Sequence, residues 1–195
     1  MDSANGDRSG ARAFWRLIEQ ARAVGGAEGG GAEACGAVAT TASALLARCE
    51  VGEIVAAQRA LWALMEESYR SPLWAAAYMI NGGCSDDGFD YFRGWLILQG
   101  QEVFERVIAD PDALAELAPV REAAAHGWEL EGEEALSIAW EAHRRATGGE
   151  QLPAGSFSVR YPELDQAWNF DFDDRAEMRR RLPRLAALYE GEPAV

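Results

Sequence analysis

The chain has 195 residues, 18 of them basic and 32 acidic, for a formal charge of −14 at pH 7. This length suits one domain, which buries roughly 70% of the surface its unfolded form exposes and so folds without a disulfide or metal staple. The negative field argues against a nucleic-acid backbone or an anionic membrane as the main partner, and the apolar share of 49% excludes wholesale disorder. Residues 1–12 are small and polar and read as a disordered tail, with 13–195 as a single helical domain. A first helix is expected from Ala13, where Phe14, Leu17, Ile18 and Ala21 have the spacing of a buried stripe. A glycine-rich linker comes next at 25–36; it lacks the Lys of a phosphate loop, and Glu28 and Glu33 would repel an anion. Two helices are expected between Ala37 and Tyr69, the second with Ile54, Ala57, Leu61, Leu64, Met65 and Ser68 inward. Ser71-Pro72 reads as an N-cap and first turn. The run Leu73–Ile80, apolar nearly all round, predicts the central buried helix, stopped by Asn81-Gly82-Gly83.

Ser85 is expected to cap the next helix, with Asp86 and Asp87 against its positive end. Phe89, Phe92, Leu96 and Gln99 form its stripe, and Val103, Phe104, Val107 and Ile108 continue the apolar face past a break near Gly100. Asp110-Pro111-Asp112 opens a short helix ending before Pro119. A helix over Glu133–Ala146 is expected to bury Leu136, Ala139, Trp140 and His143. Residues 150–170 lack periodicity and read as an irregular wrap. Asp173 or Asp174 then caps a helix reaching Arg181, and Pro183 opens a last turn to Tyr189. The fold class is all-α: a single compact multi-helix domain with an irregular C-terminal wrap.

Every basic residue is Arg. A chain without Lys offers no P-loop lysine, no kinase-type lysine and no Schiff base. Cys35, Cys49 and Cys84 form no Cys-x-x-Cys, so neither a zinc ribbon nor a thioredoxin-like motif is present. The start of the sequence has no apolar segment of the secretory kind, and the expected location is the reducing cytoplasm. His143 lies on a buried stripe and is expected to bond a backbone carbonyl; His126 sits in an expected surface turn. No cofactor is implied.

The best constellation for chemistry is the helix start at 81–93. Asp86 and Asp90 lie four apart on one face, Asp87 and Tyr91 share a neighbouring face, and Arg93 reaches Asp90. Paired carboxylates at such a junction can act as general acid and base or as hard-oxygen metal ligands. Capping of the helix by Ser85 with an Asp90–Arg93 ion pair explains the same residues. Asp171, Asp173 and Asp174 form a second acidic group; Asp86, Asp90, Asp171 and Asp173 would make a metal site only if the two groups met in space. Cys84, Tyr91, Trp128 and Trp168 are the candidate binding residues, Trp128 as a surface anchor outside any stripe.

The run Leu73-Trp74-Ala75-Ala76-Ala77-Tyr78, then Gly82-Gly83-Cys84-Ser85-Asp86-Asp87-Gly88-Phe89 and Tyr91-Phe92-Arg93-Gly94-Trp95-Leu96-Ile97, resembles the core signature of the bacterial family named domain of unknown function 4240. Phe14-Trp15, the Leu61-Trp62 to Tyr69 helix, and Trp168 with Phe170-Asp171-Phe172-Asp173-Asp174, Met178 and Leu182-Pro183 fit the same family. The resemblance implies kinship and carries over no catalytic residue. With no complete catalytic constellation, the expected function is an acidic interaction or regulatory module docking a partner protein. The alternative is an enzyme or divalent-metal-dependent protein built on Asp86, Asp87 and Asp90 with Asp171 or Asp173. A small molecule is a further candidate ligand.

Overall fold

The computed structural model describes residues 3–25 and 31–189, which are helical with no strand among them. Helix α1 spans Ser3–Gly25, α2 Ala32–Leu46 and α3 Val51–Ser68. The first helix therefore begins well before Ala13: once nucleated, a helix gains a hydrogen bond for each residue added, and no proline interrupts this stretch. Of the linker expected at 25–36, residues 26–30 lie outside the described residues, and Ala32 onward already belongs to α2. Helix α4 spans Ser71–Asn81, α5 Asp86–Leu98 and α6 Gln101–Ala109. A 3-10 turn at Pro111–Glu116 leads to α7, Ala118–His126, and then α8, Glu134–Thr147. The irregular wrap holds a 3-10 turn at Gln166–Trp168 and ends at α9, Arg175–Arg181, and α10, Pro183–Tyr189.

The short helix opened by Asp110-Pro111-Asp112 ends before Pro119 as expected, and two other local expectations are corrected. A helix not expected from the sequence, α7, follows with Pro119 in its first turn, where a proline lacks only an N–H that has no intrahelical partner. His126 is consequently the last residue of α7, which Gly127 closes at φ 67°. Ser71 lies inside α4 with Arg70 as the extended N-cap, and its hydroxyl donates to the Asp165 carbonyl (3.4 Å). By contrast Ser85 caps α5 as expected: its Oγ accepts from Gly88 N at 3.1 Å.

Helices α1, α2, α3 and α8 pack against one another, while α4, α7, α10 and the Pro111–Glu116 turn form a second group. Helix α5 touches members of both groups, and Phe92 through Leu98 are buried without interruption. The central element is thus α5, not α4. Helix α4 buries Leu73, Ala75, Ala76, Ala77 and Ile80, but Trp74, Tyr78 and Met79 stay half-buried under the thin C-terminal wrap. On α8 the inward stripe is Ala135, Ile138, Ala139, Ala142 and His143. Leu136 is only half-buried, and Trp140, 37% exposed, faces out. The Nδ1 atom of His143 lies 3.1 Å from the Glu150 carbonyl oxygen, as its place on the stripe implies. Among the described residues no helix is long and apolar enough to cross a membrane.

Two glycines let α5 and the segment leading into α8 come together. A Cβ on Gly94 would stand 2.4 Å from the Gly132 carbonyl oxygen, and one on Gly132 would stand 2.6 Å from Trp95 N. The two backbones touch, and Gly132 N donates to the Tyr91 carbonyl at 3.0 Å. This contact seats the start of α8 directly on α5. Gly94→Ala should lower the unfolding free energy by about 3 kcal/mol, because backbone, not a flexible side chain, must move; denaturant titration measures it. Ser85→Ala should cost about 1 kcal/mol in the same experiment through loss of the cap.

Candidate functional site

A cleft of about 680 Å³ opens where α3, α5, α8 and the wrap meet. Its walls are Gln58 and Trp62 from α3; Asp87, Asp90 and Tyr91 from α5; Glu133 and the α8 residues Glu134, Leu136, Ser137 and Trp140; and Gln151, Leu152 and Phe157 from the wrap. The Gly94–Gly132 contact brings Glu133 and Glu134 into one cleft with Asp87, Asp90 and Tyr91 of α5. The Phe157 ring lies nearly parallel to that of Trp62, with 6.1 Å between centroids.

The acids here are not equivalent. Asp90 bonds the Arg93 guanidinium and accepts the Tyr161 hydroxyl at 3.0 Å. Asp87, Glu133 and Glu134 make no side-chain hydrogen bond or ion pair among the described residues. Their field is felt locally: Glu133 first, then desolvation, Asp87, Glu131 and Asp90 raise the Tyr91 hydroxyl above its usual range. Burial, Glu129 and Glu133 likewise raise the Glu131 carboxyl. Two other groups of acids are paired with arginine. Arg184 bonds Asp110, Asp112 and Glu116 together, and Glu177 is held down at about 2 by Arg180 and Arg181.

Two buried polar atoms in the cleft wall also lack partners. Gln58 is 4% exposed and its Oε1 accepts no hydrogen bond; the Trp62 Nε1 is buried and donates none. Neither residue was among the sequence candidates, nor were Glu133, Glu134 and Phe157. The one legible signal was Gln58 itself, a polar residue within the inward stripe of α3 between Ala57 and Leu61.

The remaining candidates are dispersed. Arg93 lies beneath the cleft, fully buried, with its Nε donating to the Phe89 carbonyl (3.3 Å) and Nη1 to the Met65 carbonyl. Burial lowers its pKa, opposed by Asp90. Asp86 is exposed in the first turn of α5 and does not line the cleft. Cys84 sits at the α4–α5 junction with its thiol pushed up to about 12, chiefly by burial and then Glu131, which opposes thiolate chemistry. Trp128, 53% exposed, stacks on His126 at 4.5 Å. Trp168 is covered by the Arg181 guanidinium at 4.6 Å. Asp173 accepts the Tyr78 hydroxyl at 2.9 Å and lines a separate depression, and Asp171 accepts Asp173 N at 3.0 Å. Asp86, Asp90, Asp171 and Asp173 are therefore not gathered, and among the described residues no three His, Cys, Asp or Glu side chains form a metal-holding group.

The cleft joins unneutralised carboxylates to aromatic walls, an arrangement that attracts and stacks a cation. The aliphatic hydroxyl in its wall, Ser137, donates to the Glu134 carbonyl at 3.1 Å, and neither His126 nor His143 lines the cleft to activate it. Asp90→Asn should destabilise the fold by about 3 kcal/mol, because it strips the counter-charge from a buried guanidinium. Tyr161→Phe, which removes only the outer hydrogen bond, should cost about 1 kcal/mol. Thermal melts of the two variants against the parent check the ordering.

Neither the comparison with curated proteins nor that with solved structures gives a match. One family model matches, over residues 10–145. These residues include every helical residue that lines the cleft and stop before the wrap, so Trp168–Asp174 falls beyond them. The chain belongs to the family described as Protein of unknown function (DUF4240).

Proposed function

We propose that the domain is a non-catalytic interaction module whose acidic cleft docks a basic segment of a partner protein. The observation that carries this reading is the set of three carboxylates, Asp87, Glu133 and Glu134, left without counter-ions over the aromatic walls of Trp62, Trp140 and Phe157. These three exposed carboxylates line one cleft and present a local negative field to an approaching cation. The volume of about 680 Å³ suits a side chain with its flanking backbone. Charge complementarity of this kind speeds encounter and selects partners, as an interaction module requires.

The test is fluorescence anisotropy with a short labelled peptide of alternating glycine and basic residues. Asp87→Asn with Glu133→Gln and Glu134→Gln should weaken binding at least tenfold, about 1.4 kcal/mol. The charge-matched control Glu102→Gln, Glu105→Gln and Glu122→Gln, on α6 and α7, should leave it within about twofold. Equal losses in the two triple variants would mean that the peptide senses only the overall negative field, and the docking reading would fall.

A further inference from the structure

Within the docking reading, on which this step rests, we infer that the group recognised is the guanidinium of an arginine inside the partner's segment. Carboxylates alone would serve any cation, including an ammonium group or a metal ion. The two orphaned atoms narrow the choice. Gln58 Oε1, in a side chain only 4% exposed, needs a donor that enters a nearly dry wall. A guanidinium is planar and weakly hydrated, and it carries five N–H groups in its plane. It can lie along an aromatic face while its edge donates to the Gln58 amide oxygen and to a rim carboxylate. An ammonium group is compact and strongly hydrated and gives up more water to reach the same place.

Trp62 Nε1 sets the second condition, for it needs an acceptor. A metal ion or a simple amine has none. A peptide carbonyl beside the arginine supplies one without adding negative charge next to Asp87, Glu133 and Glu134, whereas the free carboxylate of arginine itself would be repelled. The ligand therefore combines a guanidinium and a neutral carbonyl. This chain already uses the same stacking three times: Arg93 over Tyr69 and Phe89, Arg181 over Trp168 and Phe170, and Arg144 over the cleft residue Trp140 at 4.8 Å.

The experiment is a titration of the ¹⁵N-labelled protein with N-acetylarginine N-methylamide, its lysine and citrulline counterparts, and free arginine. Binding is read from the Trp62 indole N–H resonance, identified as the one lost in Trp62→Phe. The blocked arginine should move this resonance saturably, with the other three at least about tenfold weaker. Gln58→Leu, which replaces an orphaned polar group by an apolar one of similar size, should keep the melting temperature and abolish the preference of arginine over lysine. Equal binding of the lysine compound, or a preference that survives Gln58→Leu, overturns the guanidinium assignment while the docking reading stands on the peptide experiment. Equal binding of free arginine overturns the partner-segment source. If the labelled peptide is indifferent to the cleft triple variant, both readings fail together.

Discussion

The guanidinium of Arg93 sits in the middle of the domain with no exposed surface, and much of the fold is arranged to keep it there. A lone buried charge is prohibitive, so every side of it is answered. The Met65 carbonyl comes from the last turn of α3, where the backbone oxygens lack helical partners and the helix dipole is negative. Asp90 supplies the formal charge from one turn back on the same helix. Tyr69 and Phe89 present their rings at 5.0 and 4.7 Å. Trp74 stacks on Phe89 at 4.7 Å and donates its indole N–H to the Cys84 carbonyl at 3.1 Å, which ties α4 and the α4–α5 turn into the same cluster. Tyr161 closes it from the wrap by packing on Tyr69 and donating to Asp90. One charge thereby orders the junction of α3, α4, α5 and the C-terminal segment.

That arrangement also decides which acids remain available. Asp90 is committed to the interior, so the outward field of the cleft comes from Asp87 together with Glu133 and Glu134. The last two arrive through the glycine-to-glycine contact between α5 and the start of α8, which only a missing Cβ on each side permits. The group around Arg184 shows acids that do have a cationic partner. There Asp112 accepts from Arg184 N and Leu185 N at the head of α10, and the Arg184 side chain bridges three acids. The cleft acids Asp87, Glu133 and Glu134 have no such arginine partner among the described residues, and the proposed recognition of a cation rests on that difference.

Local chemistry was readable wherever it acts within a few residues. The Ser85 cap, the Asp174 cap on Ala176 and Glu177, the left-handed Gly82, the break at Gly100 with φ 96°, and the backbone-bonded His143 all come from side-chain type and spacing. The readings that failed needed knowledge of which face is covered. Leu73–Ile80 has the more apolar sequence, yet α5 is the helix with the unbroken buried run, Phe92–Leu98, because Asp90, two backbone carbonyls and two rings answer the charge of Arg93 within that run. Trp140 shared a stripe with Ala139 and His143 by counting, but the buried face of α8 is shifted toward Ala135, Ile138 and Ala142 and leaves Trp140 outside it.

Sequence by itself determined the all-α class, most helix boundaries, and the pairing of Asp90 with Arg93, since periodicity, capping and i,i+3 contacts are properties of short stretches of chain. It also showed the family kinship that the match over residues 10–145 bears out. Only the tertiary structure decided that Gln58, Trp62, Asp87, Glu133, Glu134 and Phe157 share one cleft while Asp171 and Asp173 stand apart from it. These residues come from segments far apart along the chain. Their meeting depends on two backbones touching at glycines and on a charge buried between helices. Neither constraint has a period or a spacing along the chain, because each is a property of how finished helices pack.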